Sequence, residues 1–132
     1  MLSETNTVRA AARQLVRELN LLDTKYCIEG FTFSECHLIT ELEAMGQATA
    51  TELADVLVLE KSTVSRLCDG LVNGGFIRVK SDPSDGRRKL LRLSRKGKTG
   101  ANRIHQFALS QVEAALSFVP EGERESLATG LE

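Results

Sequence analysis

The stretch from Glu60 to Asn73 is the feature that most constrains the fold of this chain. Its apolar residues recur at spacings of three and four, which predicts a helix with one buried stripe. The stripe comprises Val64, Leu67, Leu71 and Val72. The rest of the surface carries small hydroxyls and basic side chains, which can approach the phosphates and base edges of DNA closely. A surface helix with a merely solvated polar face has the same pattern, so this stretch alone leaves both interpretations open.

The residues before this stretch favour the DNA-binding interpretation. Two capping boxes, Thr32 to Glu35 and Thr49 to Glu52, each predict the start of a helix. The second of these helices is short, and a tight turn joins it to the helix beginning at Lys61. Two short helices joined in this way predict a helix-turn-helix, whose second helix lies in the major groove. The candidate DNA contacts on that helix are Lys61, Ser62, Thr63, Ser65 and Arg66.

A β-hairpin is predicted after two glycines end the helix. Residues 76–81 and 89–94 are β-compatible runs, and the turn-forming residues 82–88 lie between them. Beside a helix-turn-helix, such a hairpin is a wing. Arginines at its tip are expected to enter the minor groove, whose negative potential attracts them. The candidates at this tip are Arg87, Arg88 and Lys89, and a solvated charged turn is the alternative.

Helices are predicted on both sides of this winged core, which spans residues 31–97. Residues 4–29 carry a narrow apolar seam, which suits packing either against a partner helix or within the monomer. Ser94 is placed to cap a long helix that continues to Val119, and Pro120 suits the first turn of a further helix. The flanking helical segments are therefore residues 4–29 and 95–132. The whole chain is expected to form one mainly α-helical domain with a small β-hairpin.

Charge is distributed unevenly along the chain. The net charge is -1, yet residues 61–103 hold 12 Lys/Arg and 3 Asp, a net of +9, and the rest has a net of -10. A molecule polarised in this way presents a basic face to a polyanion.

No apolar stretch approaches the ~18 residues of a membrane span, and the N-terminus lacks the pattern of a signal peptide. We therefore expect a cytoplasmic protein that does not enter the membrane.

Catalytic and metal-binding patterns find little support in the sequence. Cys36 and His37 are adjacent in a helix, so their side chains diverge by about 100° and cannot act together as nucleophile and base. His105 is isolated, and no glycine-rich phosphate loop is present. We predict no catalytic residue, no metal and no cofactor. The three cysteines have no metal spacing and are expected to be small apolar fillers: Cys27, Cys36 and Cys68.

The order of three helices, recognition helix, wing and long helix resembles the MarR family of bacterial transcription regulators. The stretches that match that family's signature are Lys-Ser-Thr-Val-Ser-Arg66, Gly-Gly-Phe-Ile77, Asp82-Pro-Ser-Asp-Gly-Arg-Arg88 and Leu93-Ser-Arg-Lys-Gly97. The resemblance implies that Arg87 is the minor-groove arginine and that Asp85 orients it. It also implies that terminal helices build a homodimer on a pseudo-palindromic site in double-stranded DNA. A cleft between those helices and the winged domain would bind a small aromatic or anionic effector.

Two residues depart from the family's pattern. Val58 stands where glycine is common, and a β-branched residue is strained at positive φ, so we expect a turn of another geometry. Glu60 replaces the usual Ser or Asp N-cap, which makes a weaker cap.

The resemblance implies a homodimeric repressor that an effector releases from its operator. Two alternatives stay open: the N-terminal module of a longer protein, such as an acetyltransferase fusion, and a winged helix that binds protein rather than DNA.

Overall fold

The computed structural model describes residues 2–23 and 27–132. In chain order its elements are α1 (Leu2–Glu18), β1 (Cys27–Ile28), β2 (Phe31–Thr32), α2 (Phe33–Met45), α3 (Ala50–Leu57), α4 (Lys61–Asn73), β3 (Ile77–Ser81), β4 (Lys89–Leu93), α5 (Arg95–Leu116) and α6 (Arg124–Leu131). The predicted fold class is confirmed: a mainly helical chain carries a helix-turn-helix and a hairpin wing. Every helix in the two described ranges is too short or too polar to cross a membrane.

The first helix is shorter than the predicted range of residues 4–29, because it ends at Glu18. Asn20 takes a left-handed φ of 56°. Its N–H and that of the next residue bond back to carbonyls three and five residues earlier. This pair of bonds is a Schellman motif, which ends an α-helix. The prediction was wrong because the apolar seam continues to Leu22, past the point where the backbone turns, and Tyr26 lies outside the described residues.

A small hairpin follows where the sequence predicted the end of that helix. β1 and β2 pair antiparallel across a two-residue turn. Both turn residues have positive φ, 53° at Glu29 and 86° at Gly30, as a type I′ hairpin turn requires. Thr32 then caps α2 as predicted. Its hydroxyl accepts the N–H of Glu35, and the carboxylate of Glu35 accepts the N–H of Thr32.

The hydrophobic core lies where α2, α3 and α4 pack beneath β4 and the start of α5. Its largest fully buried side chains are Leu38, Ile39, Leu42, Leu53 and Val64. The first turns of α5 add Ala101 and Ile104. Beyond Phe107 almost every side chain is exposed. α5 ends at Leu116, three residues before its predicted end, and the predicted further helix follows as α6.

The turn between α3 and α4 does not have the geometry expected for a valine. Val58 adopts the left-handed conformation, with φ 53° and ψ 45°, so the expectation that it would avoid positive φ is wrong. Its N–H and that of Leu59 bond to carbonyls at the end of α3, which satisfies the helix terminus. Glu60 makes no side-chain hydrogen bond at the start of α4, as expected of a weak N-cap.

β3 and β4 form the predicted wing, paired from Ile77 opposite Leu93 to Ser81 opposite Lys89. The loop before α3 joins this sheet at the middle of β4. Ala48 exchanges two backbone hydrogen bonds with Leu91, at 3.0 and 2.8 Å. The middle of β4 is therefore fixed to the chain that leads into the helix-turn-helix.

The start of α5 lies directly against the wing. The hydroxyl of Ser94 accepts the N–H of Gly97 at 3.0 Å and donates to the carbonyl of Gly75, which confirms the predicted cap. A Cβ at position 97 would overlap the carbonyl oxygen of Phe76. Glycine is therefore required for α5 to approach the wing this closely.

Candidate nucleic-acid interface

The surface of α4 is divided between core and solvent largely as predicted. Val64, Cys68 and Leu71 are buried, and Leu67 and Val72 pack partly against the core. Of the candidate DNA contacts, Lys61, Ser62 and Arg66 are exposed, and Thr63 and Ser65 are half-buried. The first turn contains no acidic residue after the N-cap Glu60, and the partial positive charge of a helix N-terminus attracts anions such as phosphate.

A cleft of about 580 Å³ separates α4 from the wing. Residues at the start of α3 and residues of α4 line the cleft on one side, and residues of the wing line it on the other. Five predicted contacts line this cleft: Lys61, Ser65, Arg87, Arg88 and Lys89. Ser62, Thr63 and Arg66 lie outside it, and Thr63 instead lines a shallower groove beside the α3–α4 turn. The structure therefore brings the wing residues together with only one side of the recognition helix.

Arg87 lies in the wing turn, and its guanidinium has no hydrogen-bond or ion-pair partner among residues 2–23 and 27–132. Its backbone N–H donates to the Asp85 carboxylate at 3.0 Å. The resemblance implied that Asp85 orients Arg87. The structure places that interaction on the backbone, where it fixes the turn from which the Arg87 side chain leaves. The exposed guanidinium remains available for an anionic ligand.

Arg88, the next residue, is paired with two carboxylates of the same chain. Its guanidinium lies 2.9 Å from Glu52 of α3 and 3.6 Å from Asp82 at the end of β3. Sequence reasoning grouped Arg88 with Arg87 as a DNA contact. It could not detect the pairing, because Glu52 is 36 residues away and was recognised only as a capping residue.

Both acidic partners of Arg88 are held in the charged form. Hydrogen bonds from Thr49, and then the nearby Arg88, keep the pKa of Glu52 below its usual 4.5 despite partial desolvation. Hydrogen bonds from Ser84 lower the pKa of Asp82 from 3.8. Both groups are therefore anions at neutral pH, and the positive charge of Arg88 is compensated within the protein.

Lys89 begins β4, and its ammonium group donates to the hydroxyl of Ser81 at 3.0 Å. The two residues are directly opposite each other in the wing. Because hydroxyl groups carry no charge, this contact leaves the positive charge of Lys89 uncompensated. Of the three basic residues at the wing tip, Arg87 and Lys89 therefore carry uncompensated charge, and Arg88 is held in an ion pair.

The remaining candidate chemical groups lie away from this face or are buried. Cys36 and Cys68 are buried, as expected of small apolar fillers, and burial raises the pKa of Cys68 to about 11. The side chain of Cys27 is outside the described part of the chain. His105 binds Glu43 at 2.6 Å, and His37 stacks on Phe33. Neither histidine faces the cleft between α4 and the wing.

Comparison with known proteins agrees with this geometry. Residues 29–88 match the family model described as the MarR family, which covers the helix-turn-helix and most of the wing. A comparison with curated protein sequences finds no match.

Solved structures share the fold over nearly the whole chain. A cysteine-to-serine mutant of MarR from E. coli superposes with a TM-score of 0.75 at 21% identity, covering 99% of this chain and 93% of that one. BpsR from Bordetella bronchiseptica, whose DNA binding is regulated by 6-hydroxynicotinic acid, has a TM-score of 0.75 at 17% identity and covers 96% of each chain. MepR from S. aureus, solved bound to an oligodeoxyribonucleotide, has a TM-score of 0.62 at 22% identity and covers 97% and 92%. The match over residues 29–88 and the shared fold support a MarR-family winged helix-turn-helix regulator.

Proposed function

We propose that this chain is a sequence-specific DNA-binding transcriptional regulator that acts as a homodimer. The observation that carries the proposal is the surface shared by α4 and the wing. There, Lys61 and the half-buried Ser65 of α4 line the same cleft as Arg87, whose guanidinium has no partner in the described part of the chain. The proposed contacts to DNA are Lys61, Ser62, Thr63, Ser65, Arg66, Arg87 and Lys89. MepR, which has the same fold, was solved bound to an oligodeoxyribonucleotide.

The α4 residues and the wing would read different grooves. Arg66 is exposed on the recognition helix and has the fork of donors that pairs with guanine in the major groove. Arg87 lies at the wing tip, where a minor groove would receive it. Sequence preference is therefore assigned mainly to α4, and sequence-independent affinity mainly to the wing.

Dimerisation is proposed from the apolar surface of the terminal helices. Val8 and Leu15 of α1 are 69% and 54% exposed, and Val112 of α5 is 54% exposed. Phe118, after α5, is 89% exposed. Apolar side chains concentrated on terminal helices mark an interface that another protein surface covers. A second copy would place two recognition helices in successive major grooves about 34 Å apart, matching a pseudo-palindromic operator.

We further propose that the regulator is a repressor released by a small aromatic anion. A second cleft of about 550 Å³ lies where α5 begins, beside Phe31 and Phe76. Arg95, Lys96 and Arg103 line it, so it combines aromatic walls with positive charge. Lys96 donates to the carbonyl of Gly74 at 2.7 Å and lies 4.4 Å from the Phe76 ring centroid. DNA binding by BpsR, a protein of the same fold, is regulated by 6-hydroxynicotinic acid.

The first test is fluorescence anisotropy of the purified chain on the DNA upstream of its own gene, with a random duplex of equal length as the competitor. We expect a preference for the upstream site, a steep dependence of affinity on salt, and a dimer mass by light scattering. Sequence-blind binding by a monomer would contradict the proposal.

Adding benzoate as an aromatic anion should raise the Kd for the upstream site, and an Arg103→Ala variant should respond less.

Two arginine variants separate the roles of helix and wing. Arg87→Ala should weaken binding to both duplexes and lower the slope of log K against log salt by about one. Arg66→Ala should reduce affinity by roughly 1–3 kcal/mol, mainly on the preferred site. Arg9→Ala removes the same charge from α1, outside the basic segment, and is the control for charge alone. Equal salt slopes for the wild type and Arg87→Ala would remove the wing from the interface.

A further inference from the structure

The wing is tied to the helix-turn-helix at two separate points. At the middle of β4, Leu91 exchanges two backbone hydrogen bonds with Ala48. Near its tip, Arg88 reaches Glu52 at 2.9 Å. The backbone of Arg88 is also held, because its carbonyl accepts the N–H of Asp82 at 2.9 Å and its N–H donates to Asp85 at 3.0 Å. Arg88 therefore connects the tip of the wing to α3, the first helix of the helix-turn-helix.

We infer that Arg88 is a positioning residue, which holds the wing against α3 so that its neighbour Arg87 reaches DNA, and that Arg88 does not itself bind DNA. This inference rests on the proposed DNA-binding function. The inference assigns different roles to Arg87 and Arg88, two adjacent residues of the same charge.

The carboxylate that receives Arg88 is already fixed in place. One oxygen of Glu52 accepts the N–H of Thr49 at 2.7 Å and its hydroxyl at 3.1 Å. The other oxygen accepts Arg88. Because the capping box orients the carboxylate, little of its conformational freedom is lost when Arg88 binds. A phosphate would have to displace this pre-oriented partner.

The same arrangement explains how Arg88 contributes to binding without touching the ligand. A wing held in one position has less freedom to lose when DNA binds, so preorganisation tightens the complex. The side chains of Arg88 and Glu52 are about half exposed, at 48% and 44%, and exposed ion pairs are weak. We therefore expect removal of the pair to weaken DNA binding only about two- to fivefold.

Glu52→Gln provides the decisive variant, because the two roles of Arg88 predict opposite effects. Glutamine preserves the capping box, so α3 still forms. If Arg88 positions the wing, Glu52→Gln weakens DNA binding about as much as Arg88→Ala does, and the double variant is no worse than either single one. If Arg88 binds phosphate, Glu52→Gln frees it and tightens binding. Asp55→Asn removes the same charge from an exposed residue of α3, the helix that also carries Glu52, and its effect measures charge alone.

The salt dependence gives an independent reading. Arg88→Ala should reduce affinity by the same factor at each salt concentration, and its slope should equal that of the wild type. Arg87→Ala should lower the slope by about one, as a phosphate or groove contact does. A slope reduced by about one in Arg88→Ala, with tighter binding by Glu52→Gln, would overturn the inference.

Hydrogen exchange of the free protein tests the inference without DNA. In Arg88→Ala and Glu52→Gln, the N–H groups at positions 82 and 88 should exchange faster, while the N–H of Leu91, in the middle of β4, should not change. If the wild type fails to bind DNA but this exchange pattern is found, the proposed function is wrong and the structural tie remains. If exchange at the wing tip is unchanged in both variants, the positioning role is refuted even where DNA binding is intact.

Discussion

Replacing Val58 with glycine should stabilise the protein, although it removes an apolar side chain. Val58 has a φ of 53°, and the left-handed conformation costs an L-residue roughly 1–2 kcal/mol. Its side chain is 88% exposed, so it contributes at most about 0.3 kcal/mol of burial. Glycine has more conformational freedom than valine in the unfolded chain. This favours unfolding and offsets roughly 0.5–1 kcal/mol of the relieved strain. The net gain in the free energy of unfolding should be about 0.5 kcal/mol.

Urea unfolding followed by circular dichroism, at one fixed protein concentration, measures this gain. For a chain of 132 residues, the same change raises Tm by about 2 °C. Val56→Gly is the matched control, because it makes the same substitution two residues earlier, inside α3, where glycine should destabilise the helix by roughly 0.5 kcal/mol. If Val58→Gly also lowers the midpoint, the strain assigned to this turn does not exist.

Three further predictions concern the core, acid stability and a thiol. Gly97→Ala should destabilise the fold by about 1–3 kcal/mol in urea unfolding, because the methyl overlaps the Phe76 carbonyl, whereas Gly70→Ala, which meets nothing within 4 Å, should not. The pKa of Glu52 is lowered in the folded chain, chiefly by the backbone hydrogen bond of Thr49. Its contribution to the stability of the fold is therefore fully present above pH 4.5 and is lost as the pH falls through the folded pKa. Tm measured from pH 6 to pH 3 should fall less in Glu52→Gln than in the wild type. Cys68 has a pKa raised to about 11 by burial, so peptide mapping after brief iodoacetamide treatment at pH 7.5 should find it unmodified in the folded protein and modified in urea.

The sequence predicted those parts of the fold that local patterns determine. The buried stripe of α4 followed from its helical spacing, and both capping boxes formed the expected reciprocal bonds. The wing followed from the turn-forming residues between two β-compatible runs. In each case the residues that determine the structure are within a few positions of one another, so their spacing contains the information.

The errors arose where two local signals disagreed or where distant residues met. The apolar seam of α1 continues past Glu18, but the left-handed Asn20 ends the helix and the positive φ of Glu29 closes a hairpin. Glutamate gave no signal for such a turn. Val58 adopts a backbone that its own side chain disfavours, because the two helices it joins fix the turn. The pairing of Arg88 with Glu52 depends on the tertiary fold, so no local pattern could reveal it.

The charge of the basic segment therefore overstates the number of cations available to DNA. Residues 61–103 have a net charge of +9, but Arg88 is compensated by carboxylates of the protein. Lys96 is held by a carbonyl and an aromatic ring beside α5. Counterion release depends on the phosphates that are contacted, at about 0.9 per contact, and not on the formal charge of a segment. On the proposed interface, the salt slope of each half of a dimer is set by the phosphates that α4, Arg87 and Lys89 contact. A slope per subunit that approaches the full charge of the segment would show that the internal pairs open on DNA.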